Sequence, residues 1–107
     1  MSPTSKNKKS LERGGWKIGS VQELLGLTDE EAAYVELKLA LSRALRERRQ
    51  KNKVTQVQLA RKIGSSQSRV AKMEAGDPSV SIDLLVRSLI ALGATRKSLA
   101  RSIQSAK

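Results

Sequence analysis

Four times along this chain a serine or threonine suited to capping a helix is followed, six to twelve residues on, by a glycine. The pairs are Ser20 and Gly26, Thr55 and Gly64, Ser66 and Gly76, and Ser81 and Gly93. A cap hydroxyl accepts from first-turn N–H groups that have no partner inside the helix, and glycine leaves the last turn through a left-handed residue without a Cβ clash. Glu23, Glu31 and Gln58 stand three residues after Ser20, Thr28 and Thr55, completing capping boxes. Punctuation this dense predicts a succession of short helices. No stretch alternates polar and apolar residues with a period of two, so no strand is expected.

Between these marks the apolar residues recur at helical spacing. Val21, Leu24 and Leu25 give the first short helix one apolar side. A longer helix runs from Thr28 to about Lys51, with Asp29, Glu30 and Glu31 at the positive end of its dipole. It carries Tyr34, Leu37, Leu41, Ala44 and Leu45 on one face and a second strip, Val35 and Leu39, elsewhere. Two apolar faces call for two partners: the preceding short helix and a second protein are the candidates. Val54 with Leu59, and Val80 with Leu85, form staple pairs across the caps of two later helices. The helix from Ile82 to Leu92 shows a stripe of Ile82, Leu85, Val86, Leu89, Ile90 and Leu92, with Leu84 off it. Thr95 opens a last amphipathic piece with Leu99, Ala100 and Ile103. The expected fold is all-α: a compact bundle of about five helices, plus a short N-terminal helix.

With 107 residues the chain is expected to form one domain with an extra arm. Residues 1–15, polar and basic, read as a disordered arm; residues 16–44 as a helical extension; residues 45–107 as the main domain. The absence of cysteine and histidine removes disulfides, thiolate metal sites, the usual general base and the commonest zinc ligand. No enzyme activity, metal or cofactor is therefore expected. Two aromatic residues, Trp16 and Tyr34, are too few for a base-stacking platform. The polar start, Ser2 to Lys9, lacks the apolar core of a signal peptide, and no run is long enough to span a bilayer, so a cytoplasmic protein is expected, with no membrane contact.

The net charge of +11 is unevenly placed. Arg43 to Lys72 holds ten bases and one acid, Glu47, whereas Ser20 to Ser42 has a net charge of −4. Clustered positive charge suits phosphate neutralisation, although it also describes an ordinary solvated surface. The architecture decides between them. Thr55 to Gly76 encodes two short helices joined by Gly64-Ser65-Ser66, the tight glycine turn of a helix-turn-helix. Leu59, Ala60 and Ile63 face inward from the first helix, and Val70, Met73 and Glu74 from the second. The outer side of the second offers Ser68, Ala71, Lys72 and Ala75, flanked by Gln67 and Arg69. This face is small, basic and hydrogen-bonding, and it fits a major groove: glutamine pairs with adenine, lysine or arginine with guanine, and alanine lies against a thymine methyl.

Residues Leu45 to Leu92 resemble the XRE-family helix-turn-helix of phage repressors, a lambda-repressor-like bundle. The resemblance rests on Arg49, Thr55-Gln56, Leu59-Ala60, Gly64, Ser66-Gln67, Val70, Met73-Glu74, Gly76 and Leu89 to Gly93. It implies that Gln67, Ser68 and Lys72 read bases, with Arg69 reading a base or holding a phosphate. It also implies that Gln56 binds a phosphate, with Thr55, Lys53, Lys51 and Arg48 as further phosphate contacts, and that Arg49 and Glu74 form a structural ion pair. Where the family often has glycine before the first helix of the pair, this chain has Asn52-Lys53; Asn52 tolerates the left-handed conformation.

Upstream, GSVQELLGLTDEEAAYVELKLALSRAL resembles the leader helices of HigA-like antitoxins. That resemblance implies a RelE-like toxin as partner, facing the acidic Asp29 to Glu36 turn; a bundle cap or dimer contact is the alternative. The readings that follow are a transcriptional regulator, chiefly a repressor, bound as a homodimer to double-stranded DNA at a pseudo-palindrome, or an antitoxin that autorepresses. Leu84, Leu99 and Ile103 are the expected dimer contacts.

Overall fold

The computed structural model describes residues 23–104. The expected arm, Gly14-Gly15, Trp16 and the Ser20 cap lie outside the described residues. Those residues are all-helical, with no strand among them. After a helical stretch at 23–25 come α1 (Asp29–Lys51), α2 (Gln56–Ile63), α3 (Gln67–Glu74), α4 (Ile82–Ala91) and α5 (Arg96–Gln104). The chain divides into two units, up to Glu36 and from Leu37 on.

In the first unit, Thr28 and Glu31 close a reciprocal capping box: the Glu31 carboxylate accepts from the Thr28 N–H (2.8 Å), and the Thr28 hydroxyl from the Glu31 N–H (3.1 Å). Tyr34, expected on the apolar face of the long helix, is half exposed.

In the second unit, the core is Leu41 and Leu45 of α1, Leu59 and Ala60 of α2, Val70 and Met73 of α3, Val80, and Leu85, Leu89 and Leu92 of α4 and its cap. Val54, Ile63, Leu84 and Leu99 are partly buried against it. Each short helix starts where a hydroxyl takes up a first-turn N–H: Thr55 from Gln58, Ser66 from Arg69, Ser81 from Leu84, and Thr95 from Ser98. Gly64, at φ +67°, ends α2 and turns the chain into α3, with Ser65 N–H reaching back to Ala60 O (2.8 Å). Gly76 is constrained twice: its φ is +76°, and a Cβ there would stand 2.7 Å from Leu39 Cδ2.

Three sequence expectations are corrected here. Leu84 is partly buried against the core, while Ile90, assigned to the inward stripe, is 56% exposed. The cause is Ser88, which is fully buried at the centre of the seam formed by Leu85, Leu89 and Leu92. A polarity pattern places serine outside and so rotates the inferred stripe toward Val86 and Ile90. Leu99 likewise packs on the core. Finally, Lys53, not Asn52, takes the left-handed conformation, at φ +58°. Asn52 instead donates from Nδ2 to Leu92 O (3.0 Å), tying the end of α1 to the end of α4.

Ser88 Oγ has no hydrogen-bond partner among the described residues. A buried unmatched hydroxyl costs about 1–3 kcal/mol. Ser88→Ala is expected to raise unfolding stability by about 1 kcal/mol in urea titration, with the helical content unchanged.

Candidate nucleic-acid interface

Inside the helix pair, the Leu59, Ala60, Val70 and Met73 side chains are all buried, which fixes α3 against α2 and leaves Gln67, Ser68, Arg69 and Lys72 exposed on the other side. The expected base-reading residues therefore share one accessible face. Ala71 and Ala75 lie between and beside them, so no bulky apolar group obstructs that face.

A polar relay runs beneath it. The Arg49 guanidinium meets Glu74 in bidentate fashion, Nε to Oε2 at 2.5 Å and Nη2 to Oε1 at 3.0 Å, and its Nη1 donates to Val54 O at 2.8 Å. Both side chains are largely buried, 13% and 5% exposed. Their hydrogen bond with each other raises the Arg49 pKa, against the opposing effect of burial. On the arginine side, the stability this contributes is present at neutral pH, below arginine's ordinary range, and is lost as pH rises through the folded-state value.

Glu74 Oε1 also accepts from Gln56 Nε2 (3.1 Å), and Gln56 Oε1 accepts from Gln67 Nε2 (2.7 Å). A carboxylate only accepts, so the Gln56 amide must turn its NH₂ toward Glu74 and its oxygen outward. Gln67 must then turn its own NH₂ toward Gln56. Its Oε1 and second N–H remain free of the relay, the acceptor and donor pair that matches an adenine edge. The family resemblance implied the Arg49–Glu74 pair, whereas the bond between the two glutamines was not anticipated. A usable signal exists, since both residues open the first turn of successive helices joined by a tight turn.

At the start of α2, the Thr55 hydroxyl serves Gln58 N–H, so the N–H groups of Gln56 and Val57 precede any intrahelical acceptor. Thr55, Gln56, Lys53 and Gln67 line one open groove there. Helix N-termini of this kind attract anions through aligned N–H groups and the dipole. Arg48 and Lys51 are placed elsewhere: with Ala44, Glu47, Leu89, Ser98 and Leu99 they line a cleft between α1 and α5. Helical geometry requires this, because Arg46 and Arg48 project about 160° apart at 100° per residue. On the α3 side of α1 stand Arg43 and Arg46, beside Glu74, Ala75 and Gly76. Neither was among the contacts expected from sequence.

The turn after α3 is held by Asp77, whose Oδ1 accepts from the Ser79 hydroxyl (2.6 Å) and N–H (2.8 Å). These bonds, with Lys72 and Lys38 nearby, keep the Asp77 carboxyl below its ordinary value of 3.8. A lowered carboxyl pKa stabilises the folded turn above that value, and the contribution fades as pH falls through the folded pKa. Lys38 Nζ donates to Pro78 O (3.0 Å) on the same turn.

A family model described as helix-turn-helix (HTH_3) matches residues 45–102, more than half of the chain. The chain belongs to the XRE helix-turn-helix family. As a member it is a DNA-binding transcription regulator, and the family is one of DNA binders rather than enzymes. No curated protein and no solved structure gives a significant match. No helix among the described residues of this helix-turn-helix protein is long and apolar enough to cross a membrane. Nor do those residues contain a cluster of metal-ligating side chains.

Two outcomes are expected for the interface itself. Glu74→Ala leaves a buried guanidinium unpaired and is expected to cost about 3 kcal/mol in urea unfolding, within the range for breaking one side of a buried pair. Lys53→Gly removes a side chain from the left-handed region and is expected to stabilise the fold by about 0.5–1 kcal/mol. The same change removes a cation from the α2 groove, so affinity for a DNA duplex in a gel-shift titration is expected to fall while stability rises.

Proposed function

We propose that this protein is a sequence-specific repressor that lays α3 into the major groove of a pseudo-palindromic operator as a homodimer. The observation that carries the reading is the relay from Arg49 through Glu74 and Gln56 to Gln67. It sets the Gln67 amide in one orientation before DNA arrives, so recognition does not have to pay the rotamer entropy of that side chain. Gln67 reads adenine, Lys72 reads guanine, Ser68 adds a hydrogen bond, and Arg69 reaches a base or an adjoining phosphate. Thr55, Gln56 and Lys53 hold a phosphate at the start of α2. Arg48 and Lys51 line the α5 cleft and act as part of the general positive field rather than as direct contacts. One helix in one groove binds weakly, and two copies about 34 Å apart would engage successive turns of the duplex. Ile90 and Ile103, both about half exposed, are the apolar residues for that subunit contact in place of Leu84 and Leu99.

A second reading, an antitoxin that binds a RelE-like toxin and autorepresses, is favoured by the first unit. Leu24 and Leu25 are exposed there, followed by Asp29, Glu30 and Glu31. An apolar strip next to an acidic turn suits a basic partner. Co-expression with a small basic protein encoded in an adjacent gene separates the readings: a stable complex supports the antitoxin, and its absence supports a regulator acting alone.

The repressor reading is tested by selecting the preferred site from a random duplex pool and comparing it with mixed-sequence DNA at one salt concentration. Gln67→Ala and Lys72→Ala are each expected to lose about 1–3 kcal/mol on the selected site and to relax the preference at one base pair. Equal wild-type affinity for both duplexes would overturn sequence-specific reading.

A further inference from the structure

The protein's positive charge is divided between two sides of α1, and the two sides differ in what balances it. On the α5 side, Arg48 and Lys51 share their cleft with Glu47. On the α3 side, Arg43 and Arg46 are exposed and have no hydrogen-bond or ion-pair partner among the described residues. The carboxylate that lines their groove, Glu74, is already occupied by Arg49 and Gln56. Arg46 also lines a second groove with Ala71, Glu74 and Ala75, so it stands against the small-residue edge of the exposed α3 face.

The turn that follows α3, residues 77–81, supplies no base and one acid, Asp77. The C-terminal end of the recognition helix therefore has no cation of its own after Lys72. Lys38, which reaches that end, is bonded to Pro78 O and lies near Asp77, whereas Arg43 and Arg46 stand beside Glu74, Ala75 and Gly76. The α2 groove, with Lys53 and Thr55, flanks the opposite end of α3 at Gln67. An eight-residue helix is about 12 Å long, close to the width of a major groove of about 12 Å. Anchors at its two ends therefore meet different stretches of the phosphate backbone.

We propose that Arg43 and Arg46 form a second phosphate-binding site, which clamps the DNA backbone at the C-terminal end of α3 while the start of α2 holds it at the other. The site rests on the DNA-binding reading above but adds an element of α1 that lies outside the helix-turn-helix pair. Its role is positional: it sets the tilt of α3 in the groove and carries no sequence information. Arginine suits the task because its planar fork holds a phosphate through two parallel bonds.

The test compares Arg43→Gln, Arg46→Gln and the double variant with Arg101→Gln, which removes the same unit of charge from the exposed surface of α5. Dissociation constants are measured over a salt series on a mixed-sequence duplex and on the selected site. Each of the two α1 variants is expected to weaken binding to both duplexes by roughly fivefold to tenfold, and to reduce the slope of log affinity against log salt by about 1. The ratio between the two duplexes is expected to stay at the wild-type value. Slopes equal to that of Arg101→Gln would overturn the site, and so would a change confined to the selected sequence. The failure of sequence-specific reading would show separately, as wild-type protein that does not distinguish the duplexes, while the slope comparison on mixed DNA still decides the site. Unfolding midpoints equal to wild type confirm that the exposed substitutions leave the fold intact.

Discussion

A buried guanidinium facing a buried carboxylate is tolerated only when nearly every polar atom around it is matched, because both ions have given up their water. Arg49 and Glu74 meet that condition by drawing in three further groups: the Val54 carbonyl at the α1–α2 loop, the Gln56 amide at the start of α2, and through it Gln67 at the start of α3. The need to satisfy one ion pair thus joins three helices at the start of the exposed face of α3. A hydrophobic replacement could pack the same space, but it would leave the two glutamine amides free to rotate. The acceptor-only character of the Glu74 carboxylate gives the relay its direction.

Around this polar line the apolar core supplies most of the adhesion. Leu41, Leu45, Leu59, Val70, Met73, Leu85 and Leu89 are nearly or wholly inaccessible to solvent, and they come from four helices. Hydroxyl caps and left-handed glycines set where those helices stop, which keeps the turn between α2 and α3 short. A short turn leaves little freedom in how α3 is presented. Both ends of α3 are flanked by cations from other elements, Lys53 at one end and Arg43 with Arg46 at the other.

Local signals were sufficient for much of this. Caps, capping boxes and glycine stops depend on neighbours three or four residues away, so their positions could be read directly, as at Thr55 with Gln58 and at Gly64. The inward placement of Glu74 followed from its helical phase beside Val70 and Met73. Where the reading went astray, a nonlocal fact intervened. Ser88 is buried because α4 presents that position to the core, and this turned Leu84 inward and Ile90 outward. Asn52 is engaged by a carbonyl 40 residues away, at Leu92, and the left-handed turn passed to Lys53.

The sequence by itself determined that the described residues are helical, where the helices α1 to α5 begin, and which residues of α3 cannot be inside. These are properties of contacts within one or two turns. Only the tertiary structure decided which side of α1 faces the recognition helix, and hence that Arg43 and Arg46 stand beside α3 while Arg48 and Lys51 turn toward α5. It also decided that Gln56 and Gln67 are bonded to each other. The physical reason is common to both. The rotation of a helix about its axis, and the meeting of side chains across a turn, are set by how whole helices pack, and a run of basic or polar residues reads the same in sequence whichever way it faces.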